Sequence, residues 1–198
     1  MCFTETGRKG PGWLSAGLWV FLLAGTMLLS GACGELLDDL NPSGDDKRSV
    51  YDAGTTGPYV GQTAPEFTVP DSLGVPVTLS SQLAVADAVV LYFTMWCPIC
   101  EVHMSHLRQH VVGSYPTVSF FLVDFVSGSV SKSRLAQVSY GYTDFTVLAD
   151  ADVAVMDAYN GGMGITALIG SDGVIRLNED YKDGFRLKEA LDALLAAP

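Results

Sequence analysis

Two of the four cysteines in this chain, Cys97 and Cys100, stand in the run Trp96-Cys97-Pro98-Ile99-Cys100. Thiols at that spacing lie within one turn of a helix, near enough to join in a disulfide and to part again. The reactive form is the thiolate, which the start of a helix stabilises through its macrodipole. Cys97, at the helix start and the more exposed of the two, is expected to attack. Cys100, one turn in, is expected to resolve the mixed disulfide. Trp96 would shield one side of the pair, and Pro98 and Ile99 between the sulfurs would tune its potential. An incidental pair is the plain alternative; the buried-strand pattern ahead of it and Trp96 argue against that.

All three histidines of the chain, His103, His106 and His110, follow in the same stretch. Spacings of three and four put them on one side of a helix. The simplest reading is a solvated polar face. Two sharper readings stand beside it. A protonated His103 would stabilise a nearby thiolate and make the pair more oxidising. Alternatively, Cys97, Cys100 and one histidine, with Met104, would hold copper(I) or zinc.

The elements that must position these groups are visible in the pattern. Ala88-Val89-Val90-Leu91-Tyr92-Phe93 is a continuous apolar run, as expected of a strand buried on both faces. A helix follows from about Pro98 to Val112, with Pro98 in the first turn, where its missing N–H has no helical partner. Phe67 to Val69 and Val75 to Leu79 are short strands around a turn at Asp71 to Gly74. Thr117 to Val123 reads as a second buried strand, Ser131 to Val138 as helix, Thr146 to Leu148 as strand and Asp152 to Tyr159 as a short helix. Ala167 to Ile169 and Val174 to Leu177 flank Ser171-Asp172-Gly173, a hairpin signal. Leu187, Leu191, Leu194 and Leu195 form the apolar face of a last helix. Strands alternating with helices, then a hairpin and a helix, predict an α/β fold: a central mixed β-sheet flanked by helices.

The chain has 198 residues, about half of them apolar, and a formal charge of −11. That length allows one domain plus extras. The acidity and the lack of a basic patch speak against a nucleic-acid partner. The other two cysteines belong to the N-terminus. Arg8 and Lys9 precede an apolar run from Trp13 to Leu29, and Ser30-Gly31-Ala32 leads into Cys33. A positive region, an apolar core and a small-residue boundary describe an export signal. Its end resembles the lipobox of bacterial lipoproteins, with Ser30 where that motif usually has leucine, so Cys33 is the expected lipidation site. An uncleaved signal anchor and simple cleavage are the alternatives. Residues 1–33 are thus read as the export signal, 34–57 as a flexible acidic tether and 58–198 as the folded domain. Every version puts that domain outside the cytoplasm, and the expected one places it in the periplasm, tethered to a membrane. Dithiol chemistry calls for no cofactor.

With these residues in view, the chain resembles the thioredoxin-like superfamily, and within it the AhpC/TSA-type redoxins and the TlpA- or ResA-like exported thiol–disulfide oxidoreductases. Val60-Gly61-Gln62-Thr63-Ala64-Pro65-Glu66-Phe67 is similar to their entry strand. Val89 to Cys100 is similar to their central strand and active-site motif, and Leu168 to Ile175 to their later hairpin. The resemblance implies a thioredoxin-like fold and exchange of disulfides with other exported proteins. It also exposes departures. Where the family carries a cis-proline ahead of the strand at Ala167, this chain has Gly164. His103 replaces the glutamate common in the exported reductases, Leu91 the buried aspartate of thioredoxin, and Ser105 a helix-bending proline.

The same resemblance supplies two competing functions. SCO-like copper-binding proteins share the fold but space their cysteines by three residues. Peroxiredoxins place a threonine three residues before their reactive cysteine, where this chain has Thr94; an ordinary strand-end role for Thr94 is the simpler reading. The expected function is an exported, tethered thiol–disulfide oxidoreductase acting on protein thiols. A copper or zinc carrier and a thiol peroxidase are the alternatives.

Overall fold

The apolar run ahead of Trp96 forms a strand, Ala88–Thr94, in which every residue is buried. The computed structural model in which it is seen describes residues 54–196. The expected export signal, Cys33 and the expected tether up to residue 53 lie outside those residues. Among the described residues no helix is long and apolar enough to cross a membrane.

In chain order, a hairpin of β1 (Thr68–Pro70) and β2 (Pro76–Thr78) comes first. Asp71 closes it, its Oδ1 accepting from the backbone N–H groups of Leu73 and Val75 at 2.8 and 2.9 Å, an Asx-type turn. Helix α1 (Leu79–Leu83) follows, then β3 (Ala88–Thr94), α2 (Pro98–His110), a 3₁₀ turn at Val112–Ser114, and β4 (Val118–Asp124). Next come α3 (Val130–Ser139), β5 (Thr146–Ala149), α4 (Ala154–Ala158), β6 (Ile165–Gly170), β7 (Ile175–Asp180) and α5 (Phe185–Leu195). The predicted elements all form; α1 was not expected, having no side-chain cap to announce it.

Five strands make one mixed sheet in the order β5-β4-β3-β6-β7. β3, β4 and β5 run parallel, joined by helical crossovers, while β6 and β7 pair antiparallel. β3 lies in the middle with a layer on each face. The period of two divides its side chains between them. Val90 and Tyr92 point into the layer built by α2 and α5, where they meet Cys100, Met104, Leu107, Leu187 and Leu191. Val89, Leu91 and Phe93 point the other way, onto Phe67, Val77, Leu79, Val155 and Tyr159. Burial of so many apolar side chains on both faces anchors β3 and therefore the turn that leaves it at Trp96.

Candidate active site

Cys97 is the N-cap of α2: its backbone is extended and its sulfur accepts the N–H of Cys100 at 3.2 Å. This is the position at which a side-chain acceptor satisfies an orphan helical donor and feels the positive end of the dipole. Pro98 occupies the first turn, as expected. The two sulfurs lie 2.6 Å apart, one thiol donating to the other. Cys97 is half-buried and Cys100 fully buried. Pro98 and Ile99 between them are exposed, Ile99 by 55%, and Met95 just before the motif is exposed as well.

The proton shared by the pair is unevenly held. Burial works against ionising Cys100. The hydrogen bonds that its sulfur takes from the Cys97 thiol, from the backbone at Met95 and Cys97 and from the Thr94 hydroxyl outweigh it, and Cys100 is held below the ordinary thiol range. Cys97 is pushed up, first by desolvation and then by the Cys100 thiol, against the pull of the Cys100 and Ile99 backbone. Two sulfurs in such contact titrate as one unit. The first proton leaves early, and its departure charges either sulfur after a transfer across 2.6 Å. Exposure, not the resting position of the charge, decides which sulfur a substrate can meet, and that is Cys97.

Trp96 is 93% removed from solvent, at 7% exposure, and stacks on Tyr140 with ring centroids 5.4 Å apart. Its φ of 57° lies in the left-handed region that a bulky residue avoids. Such strain persists where surrounding contacts impose it; here the Trp96 N–H is held by Thr94 Oγ1 at 3.1 Å. Thr94 is fully buried, and its hydroxyl serves this turn and the Cys100 sulfur.

The histidine face departs from the simplest expectation. His103 turns inward, with Nδ1 3.2 Å from the Tyr92 hydroxyl and its ring 5.2 Å from that of Tyr181. His106 Nδ1 meets the Tyr181 hydroxyl at 2.9 Å, and of the three only His110 is exposed. A solvated face therefore describes His110 alone. Burial, the leading influence, together with nearby His106, outweighs the pull of Asp180 and holds His103 below the ordinary imidazole range. It is thus neutral at pH 7 and touches a tyrosine rather than a thiolate, which removes the reading of a charged His103 beside the sulfur. Met104 is fully buried in the core layer. Among the described residues no group of three or more His, Cys, Asp or Glu side chains could hold a metal ion.

Gly164 fits its place for reasons that exclude proline. Its φ is +81°, whereas proline is locked near −65°. Its N–H donates to Phe93 O at 3.1 Å, tying the loop to the end of β3. A Cβ there would lie 2.9 Å from Asp180 Oδ1 and 3.4 Å from His103 Nδ1. The described residues contain no cis peptide. The glycine thus leaves room for Asp180, at the end of β7, and His103 to crowd together. Leu91 packs in the layer opposite Cys100, so the β3 side chain on the cysteine side is Tyr92.

Tyr92, Asp180 and Tyr181 were not singled out by sequence. A hydroxyl-bearing residue in an otherwise aliphatic strand, on the same alternation as Val90, was the available signal for Tyr92. Nothing local marked the other two.

Comparison with known proteins agrees with this fold. The model of the AhpC/TSA family matches residues 60–177. A putative thiol:disulfide interchange protein DsbE from Chlorobium tepidum is 23% identical, with a TM-score of 0.60 over 70% of this chain and 99% of its own. A secreted Mycobacterium tuberculosis disulfide oxidoreductase homologous to E. coli DsbE is 25% identical, with a TM-score of 0.51 over 64% of this chain and 95% of its own. Peroxidoxin BcpB from the same organism is 23% identical, with a TM-score of 0.56 over 70% and 97%. No curated protein matches the chain in sequence.

Proposed function

The chain belongs to the AhpC/TSA family and is a thioredoxin-like redox protein, and from that premise we propose that it exchanges disulfides with exported proteins, with Cys97 as nucleophile and Cys100 as resolver. The observation that carries this is a half-buried sulfur at a helix start with a second, buried sulfur 2.6 Å behind it. In the reducing direction, the Cys97 thiolate attacks one sulfur of a substrate disulfide and the other leaves as a thiolate. The Cys100 thiolate then attacks Cys97 Sγ. A Cys97–Cys100 disulfide forms, the mixed disulfide breaks, and the second substrate sulfur leaves with the electron pair. Run backwards, the same steps oxidise a dithiol. Met95, Ile99 and Met163 are exposed apolar side chains near the motif or beside Gly164, a surface suited to a protein substrate.

The same reading places the domain outside the cytoplasm, held to a membrane through Cys33. Its support is the order of Arg8, Lys9, the apolar run and Ser30-Gly31-Ala32-Cys33, together with the likeness to the secreted Mycobacterium tuberculosis oxidoreductase. Metabolic labelling with a fatty acid tests the tether: the label should appear on the parent and vanish in Cys33→Ala.

Insulin reduction, or oxidation of a reduced model protein, tests the exchange. The parent should turn over and Cys97→Ser should not. Tight copper or zinc binding with no exchange would replace this proposal with the metal carrier. Rapid peroxide consumption by Cys97 without Cys100 would replace it with the peroxidase.

A further inference from the structure

The proposed cycle needs two ionisations, and the geometry serves them differently. In the reduced pair, the Cys97 thiol donates to Cys100 and favours a thiolate there. Once Cys97 is joined to a substrate sulfur, that donor is gone. Cys100 is then a fully buried thiol in an apolar layer among Met104, Leu107, Val90 and Leu168. Burial disfavours its ionisation, with only the Thr94 hydroxyl and the Met95 and Cys97 backbone left to oppose it, and this is the moment at which it must attack. Its proton needs a route out.

Tyr92 and His103 provide one. The Tyr92 side chain is fully buried in the same layer as Cys100, which, after burial itself, raises the pKa of the tyrosine. The Tyr92 hydroxyl meets His103 Nδ1 at 3.2 Å. His103 is only partly buried and neutral at neutral pH, and in its Nε2–H tautomer the Nδ1 lone pair accepts from the Tyr92 hydroxyl. The groups facing it are Tyr92 from β3, Asp180 at the end of β7, Tyr181 just beyond, and His106 on its own helix. Asp180 is exposed and its charge favours the protonated imidazole, giving the arriving proton a solvent-side counterpart.

Resting on the exchange reading above, we infer that Tyr92 and His103 form a proton relay that deprotonates Cys100 for the resolving step. Cys100 S–H gives its proton to Tyr92 Oη as the Tyr92 O–H proton passes to His103 Nδ1. The Cys100 sulfur keeps its electron pair and attacks Cys97 Sγ; the substrate sulfur leaves. His103 then loses its proton to water. In this relay Tyr92 exchanges its proton with the reacting sulfur. His103 acts through it and is a positioning residue, and Gly164 leaves the space in which His103 and Asp180 approach.

The test uses the full-length chain in a Cys2→Ser, Cys33→Ser background, so that only the pair carries thiols. Reduced protein is mixed with oxidised glutathione, and release of the first and second glutathione is followed from pH 5 to 9. The first reports attack by Cys97, the second resolution by Cys100. In this background the second step should level off above about pH 7, once His103 is neutral. Tyr92→Phe and His103→Gln should each slow it roughly tenfold to a hundredfold at pH 7. In both, the rate should keep rising with pH toward the thiol range. The double variant should be no slower than the worse single one, because one relay is broken once. Tyr181→Phe, which removes the hydroxyl on His106, should resolve at the unsubstituted rate. Unchanged second-step rates, effects that multiply in the double variant, or both steps slowing together would overturn the relay while leaving disulfide exchange intact. No Cys97 adduct at all would defeat the exchange reading and the relay with it.

Discussion

Two tyrosines, Tyr92 and Tyr159, show how differently the two sides of the sheet are used. Both are fully buried. Burial, first, raises the pKa of each, with neighbouring acidic groups adding to it. Tyr159, in the layer with Phe67 and Phe93, donates to Pro65 O at 2.6 Å. That partner cannot titrate, and the bond fastens the entry segment to α4. Tyr92, in the layer with Cys100, meets an imidazole at 3.2 Å. The same side chain is structural where its partner is a carbonyl and chemical where its partner can take a proton. One face of β3 holds the fold together; the other holds the reaction.

The widest break in that comparison comes from the pair itself. Cys97→Ser should lose exchange to the level of the uncatalysed reaction in the insulin assay while Tm stays within a few degrees, since the replacement hydroxyl can still cap α2. Gly164→Pro should cost about 3 kcal/mol or more in urea unfolding, because φ of +81° is closed to proline and the N–H given to Phe93 O disappears. Restoring the family's proline at this site should therefore damage the protein rather than improve it.

Tyr159→Phe should cost about 1–3 kcal/mol by leaving the Pro65 carbonyl short of its donor, with exchange rates unchanged. Paired with the kinetics of Tyr92→Phe, it separates the two faces directly. A subtler effect follows from His103. Burial, its main influence, holds its folded pKa below the ordinary 6.5, so the unfolded chain binds more protons in mild acid. The stability that this site contributes is complete above about pH 6.5 and is lost as pH falls through the folded value. Melting curves should show Tm falling with acidity in that window, and His103→Gln should remove part of the fall. The smallest change is expected at the exposed pair of Arg176 and Asp172: Arg176→Ala should shift stability by about 0.5 kcal/mol or less.

What the sequence made legible was whatever is local along the chain. Trp96 to Cys100 are contiguous, so the pair, the helix start and Pro98 in the first turn could be read together. β3 announced itself as an apolar run, and the Asp71 turn by its residue types. The histidine face was misjudged because helix periodicity says which residues share a side, not what that side meets. Tyr92 comes to it from β3 and Tyr181 from beyond β7. Gly164 was legible as a missing proline, but its meaning was not. Only the fold shows that the absent side chain leaves room for Asp180 and His103.

The central claim is that Cys97 attacks and Cys100 resolves. Full-length Cys100→Ser and Cys97→Ser variants, both in the Cys2→Ser, Cys33→Ser background, can each be incubated with an oxidised protein substrate and weighed by intact-mass spectrometry under non-reducing conditions. Cys100→Ser should accumulate a covalent substrate adduct on Cys97, and Cys97→Ser should accumulate almost none. Equal adducts on both, or an adduct on Cys100 alone, would contradict the account.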